Sequence, residues 1–190
     1  MMDQILQYDK ELFLFLNGLG SSTWDNFWLV VTYKFSSIPL YALLLFLLYK
    51  QYGLKSLLIF MVVVALMITF TDQITNVFKR TFERPRPCGE ADLIDRMRMV
   101  AAYCGKYGFF SGHSSNSMST AVFAGLALRA SYKNFIFVLL FWSVAVAYSR
   151  IYVGVHYPLD IICGMTFGAM SGFLFYKLAM YSIKRFVKIQ

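Results

Sequence analysis

Apolar residues fall into long runs separated by short charged stretches. A helix that crosses a hydrocarbon core of about 30 Å needs about 20 mostly apolar residues. Five runs approach that length, at 35–49, 56–78, 112–128, 134–148 and 157–176. The first 34 residues are mixed. Ile5 and Leu6 are split from the apolar run 12–16 by Asp9, Lys10 and Glu11, and Gly18 to Ser22 interrupt the pattern before Trp24 to Tyr33 resume it. This predicts an amphipathic helix lying along the membrane interface, with a sixth crossing as the alternative. With no basic leader and no small-residue cleavage site, the segment does not read as a removable signal peptide. No repeat or linker divides the chain. The expected fold is all-α: one polytopic membrane helix bundle of five transmembrane helices over 35–180, an N-terminal amphipathic segment at 1–34, and a long connection at 79–110, all within a single domain spanning 1–190.

Composition supports the membrane reading. Of 190 residues, 58% are apolar and 15% charged, against about 25% charged in ordinary soluble proteins. A soluble cytosolic enzyme is close to excluded on that ground. Disorder is excluded by 19 Phe, 13 Tyr and 3 Trp, and three cysteines are too few for a disulfide scaffold. The formal charge of +8 fits an anionic lipid surface or an anionic substrate better than nucleic acid in so apolar a chain.

Five crossings place alternate connections on alternate sides. One side receives Lys50, Lys55, Arg129, Lys133, Lys177, Lys184, Arg185 and Lys188 with no acid, and the positive-inside tendency makes it cytoplasmic. The other side holds Lys79, Arg80, Arg84, Arg86, Arg96, Arg98 and Lys106 beside Glu83, Glu90, Asp92 and Asp95, and also the turn after Arg150. Cations gathered against the orientation rule need another reason to be there, and binding an anion supplies one.

Both histidines fall on that outer side. His113 begins the third span, and His156 precedes Asp160 by four positions. That spacing predicts one helical face, with the carboxylate accepting the ring Nδ1 proton and Nε2 left free as a nucleophile or base. A solvated structural pair is the plain alternative. Lys79, Arg86 and Arg150 come from distant parts of the chain and can converge with the histidines, where a phosphate dianion would satisfy their charge. Ser111 and Gly112, just before a helix, add backbone amides that favour an anion, although a serine there, like Ser114 and Ser115 after it, also serves simply as a cap. The acids of the outer connection lack ligand spacing, and the surrounding cations oppose a metal ion, so no metal or cofactor is expected.

Lys79-x6-Arg86-Pro87, then Ser111-Gly112-His113, then Ser149-Arg150-x5-His156-x3-Asp160 resembles the three-part signature of the type 2 phosphatidic acid phosphatases, the lipid phosphate phosphatases related to vanadium haloperoxidases. The resemblance implies a metal-independent phosphatase in which His156 attacks phosphorus to form a phosphohistidine. It implies that Asp160 orients His156 and that His113 protonates the leaving oxygen. Lys79, Arg86, Arg150, Ser111 and the Gly112 amide would hold the phosphoryl oxygens. One departure is Phe110, where the family usually has proline; it bears on the turn more than on the chemistry. The expected substrate is a lipid phosphate or diphosphate reached from the bilayer at the outer leaflet. Candidates are undecaprenyl diphosphate, phosphatidylglycerol phosphate, phosphatidic acid and lipid A phosphate. The expected location is a bacterial cytoplasmic membrane with the site facing the periplasm or exterior. A lipid phosphotransferase using the same site, or a non-enzymatic lipid-binding or transport protein, are the alternatives.

Three further features have two readings each. Asp72, Asn76 and Lys79 form a polar stripe on which Asp72 steadies Lys79 through Asn76 or water, or is merely an acid at a wet helix end. Cys88 and Cys104 share the outer connection, where they are two free thiols or a bridge contributing about 3 kcal/mol in the chain-entropy model. Gly164, Gly168 and Gly172 are spaced by four, as a packing face within the bundle or as a dimer seam.

Overall fold

The computed structural model describes residues 2–187; Lys188, counted above with the cytoplasmic cations, lies outside them. The described residues form six α-helices: α1 (Met2–Gly18), α2 (Ser22–Thr32), α3 (Ile38–Phe82), α4 (Gly112–Leu128), α5 (Phe135–Tyr152) and α6 (Pro158–Phe186). A straight helix of the 45 residues of α3 would run about 68 Å at 1.5 Å per residue. Instead Tyr41 and Asp72, from its two halves, line one cavity. Gly53, at φ 76° and ψ 174°, folds the limb 54–82 back along the limb 38–52, a conformation that side-chain-bearing residues resist. Leu44 and Leu48 thereby share a core with Phe60, Val63 and Met67. The connection expected around Lys50 and Lys55 shrinks to this single non-helical residue. The two limbs with α4, α5 and α6 supply the five expected bundle helices.

By length and composition, 34–82, 135–152 and 158–186 are apolar enough to cross a membrane. Val62, Leu66, Phe137, Phe141, Met170 and Leu174 are each more than half exposed on these helices, a surface suited to hydrocarbon. α4 differs because it is the centre of the bundle. Ser114, Ser115, Ser117 and Ser119 are buried together with Ala121, Ala124 and Ala127, and small side chains let the neighbouring helices come close. Their hydroxyls are satisfied locally or across the helix contact: Ser115 donates to the Gly164 carbonyl (3.1 Å), Ser119 to the Asn116 carbonyl (3.0 Å), and Ser117 pairs with Ser143 (3.0 Å).

The glycine stripe of α6 faces α4. A Cβ at Gly164 would stand 2.6 Å from the Ser111 carbonyl oxygen, one at Gly172 would stand 2.5 Å from that of Ser119, and one at Gly168 would come closer still to that of Ser115. The stripe is therefore a close-packing face inside the bundle. At one end of the bundle, Gln51 and Tyr52 both donate to the Ala127 carbonyl, which brings the Gly53 turn beside the end of α4. The opposite end carries 83–111, 153–157 and α1.

The 83–111 connection is folded back on itself. Pro85 pairs with Tyr107 in an isolated bridge, the Gly108 N–H donates to the Arg84 carbonyl (2.9 Å), and Cys88 and Cys104 form a disulfide with Cα atoms 6.0 Å apart. Alkylation of the unfolded, unreduced protein is expected to modify one cysteine, Cys163, and reduction to expose all three. Modification of all three before reduction would remove the bridge.

The N-terminal segment is two helices separated at the expected break. α1 buries Asp9, Phe13 and Asn17, which fall at i, i+4 and i+8 on one face. Phe13 meets the Tyr157 ring edge-on at 5.5 Å. Asn17 donates to the carbonyls of Arg98, Ile151 and Tyr152 (3.0–3.1 Å) and accepts from the Arg98 N–H (2.7 Å). α2 is fastened by Asp25, which accepts from Arg98 (2.8 and 3.0 Å) and from the Tyr152 hydroxyl (2.8 Å).

Candidate active site

α5 ends in a turn at Gly154, whose φ of 86° and close approach to Met97 and the Arg98 carbonyl leave no room for a side chain. This turn delivers His156 to the mouth of the bundle just before Pro158 starts α6. His156 therefore is not helical, and it meets Asp160 across a helix N-terminus instead of along one helical face, as the spacing had predicted. Asp160 is the third residue of α6. Its Oδ2 accepts the Tyr157 N–H (3.1 Å), capping the helix, and lies 3.2 Å from His156 Nδ1. An ionised carboxylate only accepts, so Nδ1 carries the proton and Nε2 keeps its lone pair. Burial, then the charges of Arg86, Arg150 and Lys79, hold the His156 imidazole well below its ordinary range, against an opposing backbone hydrogen bond at Gly108. The ring is neutral at physiological pH, the form that can attack an electrophile.

Lys79, Arg86, Gly112, His113, Arg150 and His156 line one end of a single cavity of about 710 Å³. They come from the end of α3, the stapled connection, the start of α4, the end of α5 and the turn after it. Arg86 is steadied by its Nε donating to the Tyr107 carbonyl (3.0 Å), and Arg150 by donating to Thr32 Oγ1 of α2 (2.5 Å). Lys79 Nζ would lie 3.8 Å from a Cβ at Gly112, so the amine stands at the N-terminus of α4. Among the described residues none of Lys79, Arg86 and Arg150 forms an ion pair, and Arg150 Nε is buried without a hydrogen-bond partner. Converging cations without a carboxylate partner, beside the amides of a helix N-terminus, make an anion site.

The other expected site residues are placed behind the cavity wall. Ser111 is fully buried, its Oγ accepting from the N–H and hydroxyl of Ser114 (3.4 and 3.0 Å). Its own N–H donates to the Asp160 carbonyl (3.0 Å), tying the start of α4 to the start of α6 and so bringing His113 alongside His156. The Ser111 side chain caps; it does not reach the cavity. Asp160 is likewise fully buried and acts on the cavity only through His156. Among the described residues Asp72 makes its hydrogen bond to Asn116 of α4 and not to Asn76: it accepts from Asn116 (2.8 Å), whose Oδ1 in turn accepts from Thr71.

Two residues escaped the sequence reading. Arg84 donates to Asp160 Oδ1 (2.9 Å) and to Asp9 Oδ2 (2.6 Å), and its guanidinium stacks 4.2 Å over the Tyr157 ring. Arg84-Pro85-Arg86-Pro87 repeats one dipeptide, and only the second arginine falls in the recognised spacing. The signal for Asp9 was its spacing of four from Phe13 and eight from Asn17, which puts an acid and an amide on the buried face of α1.

The sequence profile of the PAP2 superfamily matches residues 56–184. The chain belongs to that superfamily. It is 37% identical over 182 residues to the lipid A 4'-phosphatase of Bacteroides thetaiotaomicron, across 94% of this chain and 80% of that one. It is 36% identical over 190 residues to the lipid A 4'-phosphatase of Porphyromonas gingivalis, across 98% and 79%. Its fold superposes on the crystal structure of a transmembrane PAP2 type phosphatidylglycerolphosphate phosphatase from Bacillus subtilis with a TM-score of 0.74 at 20% identity, covering 96% of this chain and 89% of that one. This PAP2 protein is thus a membrane-embedded, all-helical phosphatase. α1 and α2 lie outside the residues matched by the superfamily profile.

Proposed function

We propose that this PAP2 phosphatase removes the 4'-phosphate of lipid A, through a phosphohistidine on His156, at the extracytoplasmic face of a bacterial cytoplasmic membrane. The observation that carries the reading is the polarity of the cavity. Lys79, Arg86, Arg150, His113 and His156 stand at one end of it, and Leu44, Leu48, Val64, Met67, Phe123 and Val146 stand deeper in the bundle. A phosphate held at the mouth leaves its apolar body among those side chains, and a volume of about 710 Å³ lies within the roughly 300–1,000 Å³ of ligand sites. The kinship with two lipid A 4'-phosphatases at 37% and 36% identity favours that lipid over polyprenyl diphosphates and glycerolipids.

In this mechanism His156 Nε2 attacks phosphorus in line with the leaving oxygen, which takes a proton from His113. Lys79, Arg86, Arg150 and the Gly112 amide stabilise the charge on the three equatorial oxygens, the role fixed cations play in phosphoryl transfer. Water then attacks the phosphohistidine, with His113 as base, and releases inorganic phosphate. The cations at the 50–55, 129–133 and 177–187 end support a cytoplasmic position for that end, and so an outer position for the site.

The test is phosphate release from lipid A, undecaprenyl diphosphate, phosphatidylglycerol phosphate and phosphatidic acid in detergent with EDTA present. The expected result is release from lipid A at the 4'-position, undiminished by the chelator. Preference for another member of the panel overturns the substrate, and loss of all turnover with EDTA overturns the metal-free mechanism.

A further inference from the structure

We propose that Asp9 of α1 is a positioning residue for His156, acting through Arg84 and Asp160; this rests on the reading of His156 as the nucleophile. The contacts form an unbroken relay. Asp160 Oδ2 faces His156 Nδ1 (3.2 Å), and its Oδ1 accepts from Arg84 Nη1 (2.9 Å). Arg84 Nη2 donates to Asp9 Oδ2 (2.6 Å), and Asp9 Oδ1 accepts the Leu159 N–H (2.8 Å), one residue from Asp160. The Asp9 and Arg84 side chains are 6% and 14% exposed and that of Asp160 is fully buried, so water competes little for these bonds. Held at both Nη atoms and packed on Tyr157, Arg84 has no alternative orientation, and the carboxylate it grips is fixed with it.

Charge gives the relay a second consequence. Two carboxylates share one guanidinium, leaving a net negative charge behind His156, opposite the three cations at the cavity mouth. Phosphorylation of Nε2 leaves the ring with a proton on Nδ1 and a positive charge, which that negative charge stabilises. Without the Asp9 carboxylate, Arg84 neutralises Asp160 alone and is free to rotate, so both the orientation of His156 and the stabilisation of its charged form weaken. An asparagine cannot substitute. The Leu159 N–H and Arg84 each require an acceptor, and an amide offers one oxygen where the carboxylate offers two.

α1 is also anchored elsewhere, by Phe13 on Tyr157 and by the four hydrogen bonds of Asn17. Loss of the Asp9 carboxylate is therefore separable from undocking of the helix. The chain has two histidines, so histidine ring nitrogens labelled with ¹⁵N give two resolvable sets of signals in detergent micelles, with no substrate needed. In the wild type, His156 is expected to report a fixed Nδ1–H tautomer. Asp9→Asn is expected to mix tautomers at His156, with His113 unchanged, and to lower kcat on lipid A by about 10- to 100-fold with KM little altered, the range for lost outer-shell partners. Arg84→Lys, which keeps the charge, should retain more of the wild-type tautomer than Arg84→Gln, and this pair reads the relay even if Asp9→Asn does not fold. Asn17→Ala, which loosens the far end of α1, should lower the melting temperature without altering the His156 tautomer.

Unchanged His156 signals in Asp9→Asn overturn the proposal. So does an Asn17→Ala variant that disturbs His156 equally, because the effect would then belong to helix docking. Failure of the wild type to hydrolyse any lipid phosphate counts against the proposed function, while the ring signals still decide the relay.

Discussion

His156→Ala is expected to lower phosphate release from lipid A by about 10⁴- to 10⁶-fold, the scale on which covalent nucleophiles are lost, while leaving substrate affinity within a few-fold. The two halves of this expectation have different origins. On the proposed reading, affinity comes from Lys79, Arg86 and Arg150, which form no ion pair among the described residues and stay in place when a neighbouring ring is removed, and from the apolar walls deeper in the cavity. In the proposed mechanism, rate comes from a neutral imidazole whose Nδ1 proton is committed to Asp160, and among the described residues no other side chain at the cavity mouth offers that combination. Lys79 is an amine among guanidiniums, and among the described residues His113, at the start of α4, has no carboxylate bonded to it to fix its tautomer. Rapid quenching of the wild type with ³²P-labelled substrate should trap an acid-labile phosphoenzyme that the variant lacks. A variant that still turns over at near the wild-type rate would falsify the assignment of the nucleophile.

The bundle was legible because membrane helices announce themselves by composition: four of the five expected runs need only be apolar and long. α4 was legible for a different reason, its motif, and its position was not. Its serines read as caps or as part of a phosphate site, because sequence does not show what a hydroxyl faces. In the fold, Ser111 caps and links α4 to Asp160, while Ser115 and Ser117 bond to neighbouring helices and Ser119 to the Asn116 carbonyl of its own helix. The cations behaved similarly. Seven in the outer connection looked alike as a count, and only three-dimensional pairing separates Arg84 and Arg98, spent on Asp9, Asp160 and Asp25, from Lys79 and Arg86, left for an anion. Asp9 was read as part of the polar break between two apolar stretches, the role an acid near a membrane usually has. Its partner, Arg84, lies 75 residues away, beyond the reach of any local pattern.

Gly168→Ala is expected to be among the most damaging single-methyl changes in the chain. The three glycines of α6 rest on the backbone carbonyls of Ser111, Ser115 and Ser119, and the middle one has the least room. The atom a new methyl meets is backbone in a helix held on all sides, so it cannot rotate away, and α4 and α6 must separate. Overpacking of this kind costs about 1–3 kcal/mol, which for a domain of this size is a melting temperature lower by about 2–12 °C. Activity should fall further than stability, because the two helices carry the two halves of the site. α4 holds His113 and the Gly112 amide, α6 holds Asp160, and the Ser111 N–H joins them through the Asp160 carbonyl (3.0 Å). Widening the gap lengthens that bond and moves the two histidines relative to each other, to which in-line transfer is sensitive at the scale of about 1 Å. Met170→Ala on the exposed side of the same helix, where Met170 is 61% exposed, is the control and should leave both quantities nearly unchanged. Thermal melting in detergent together with phosphate release distinguishes the two readings of the stripe. Were it a seam between copies, Gly168→Ala would change the oligomeric state and leave the melting of the isolated chain where it was.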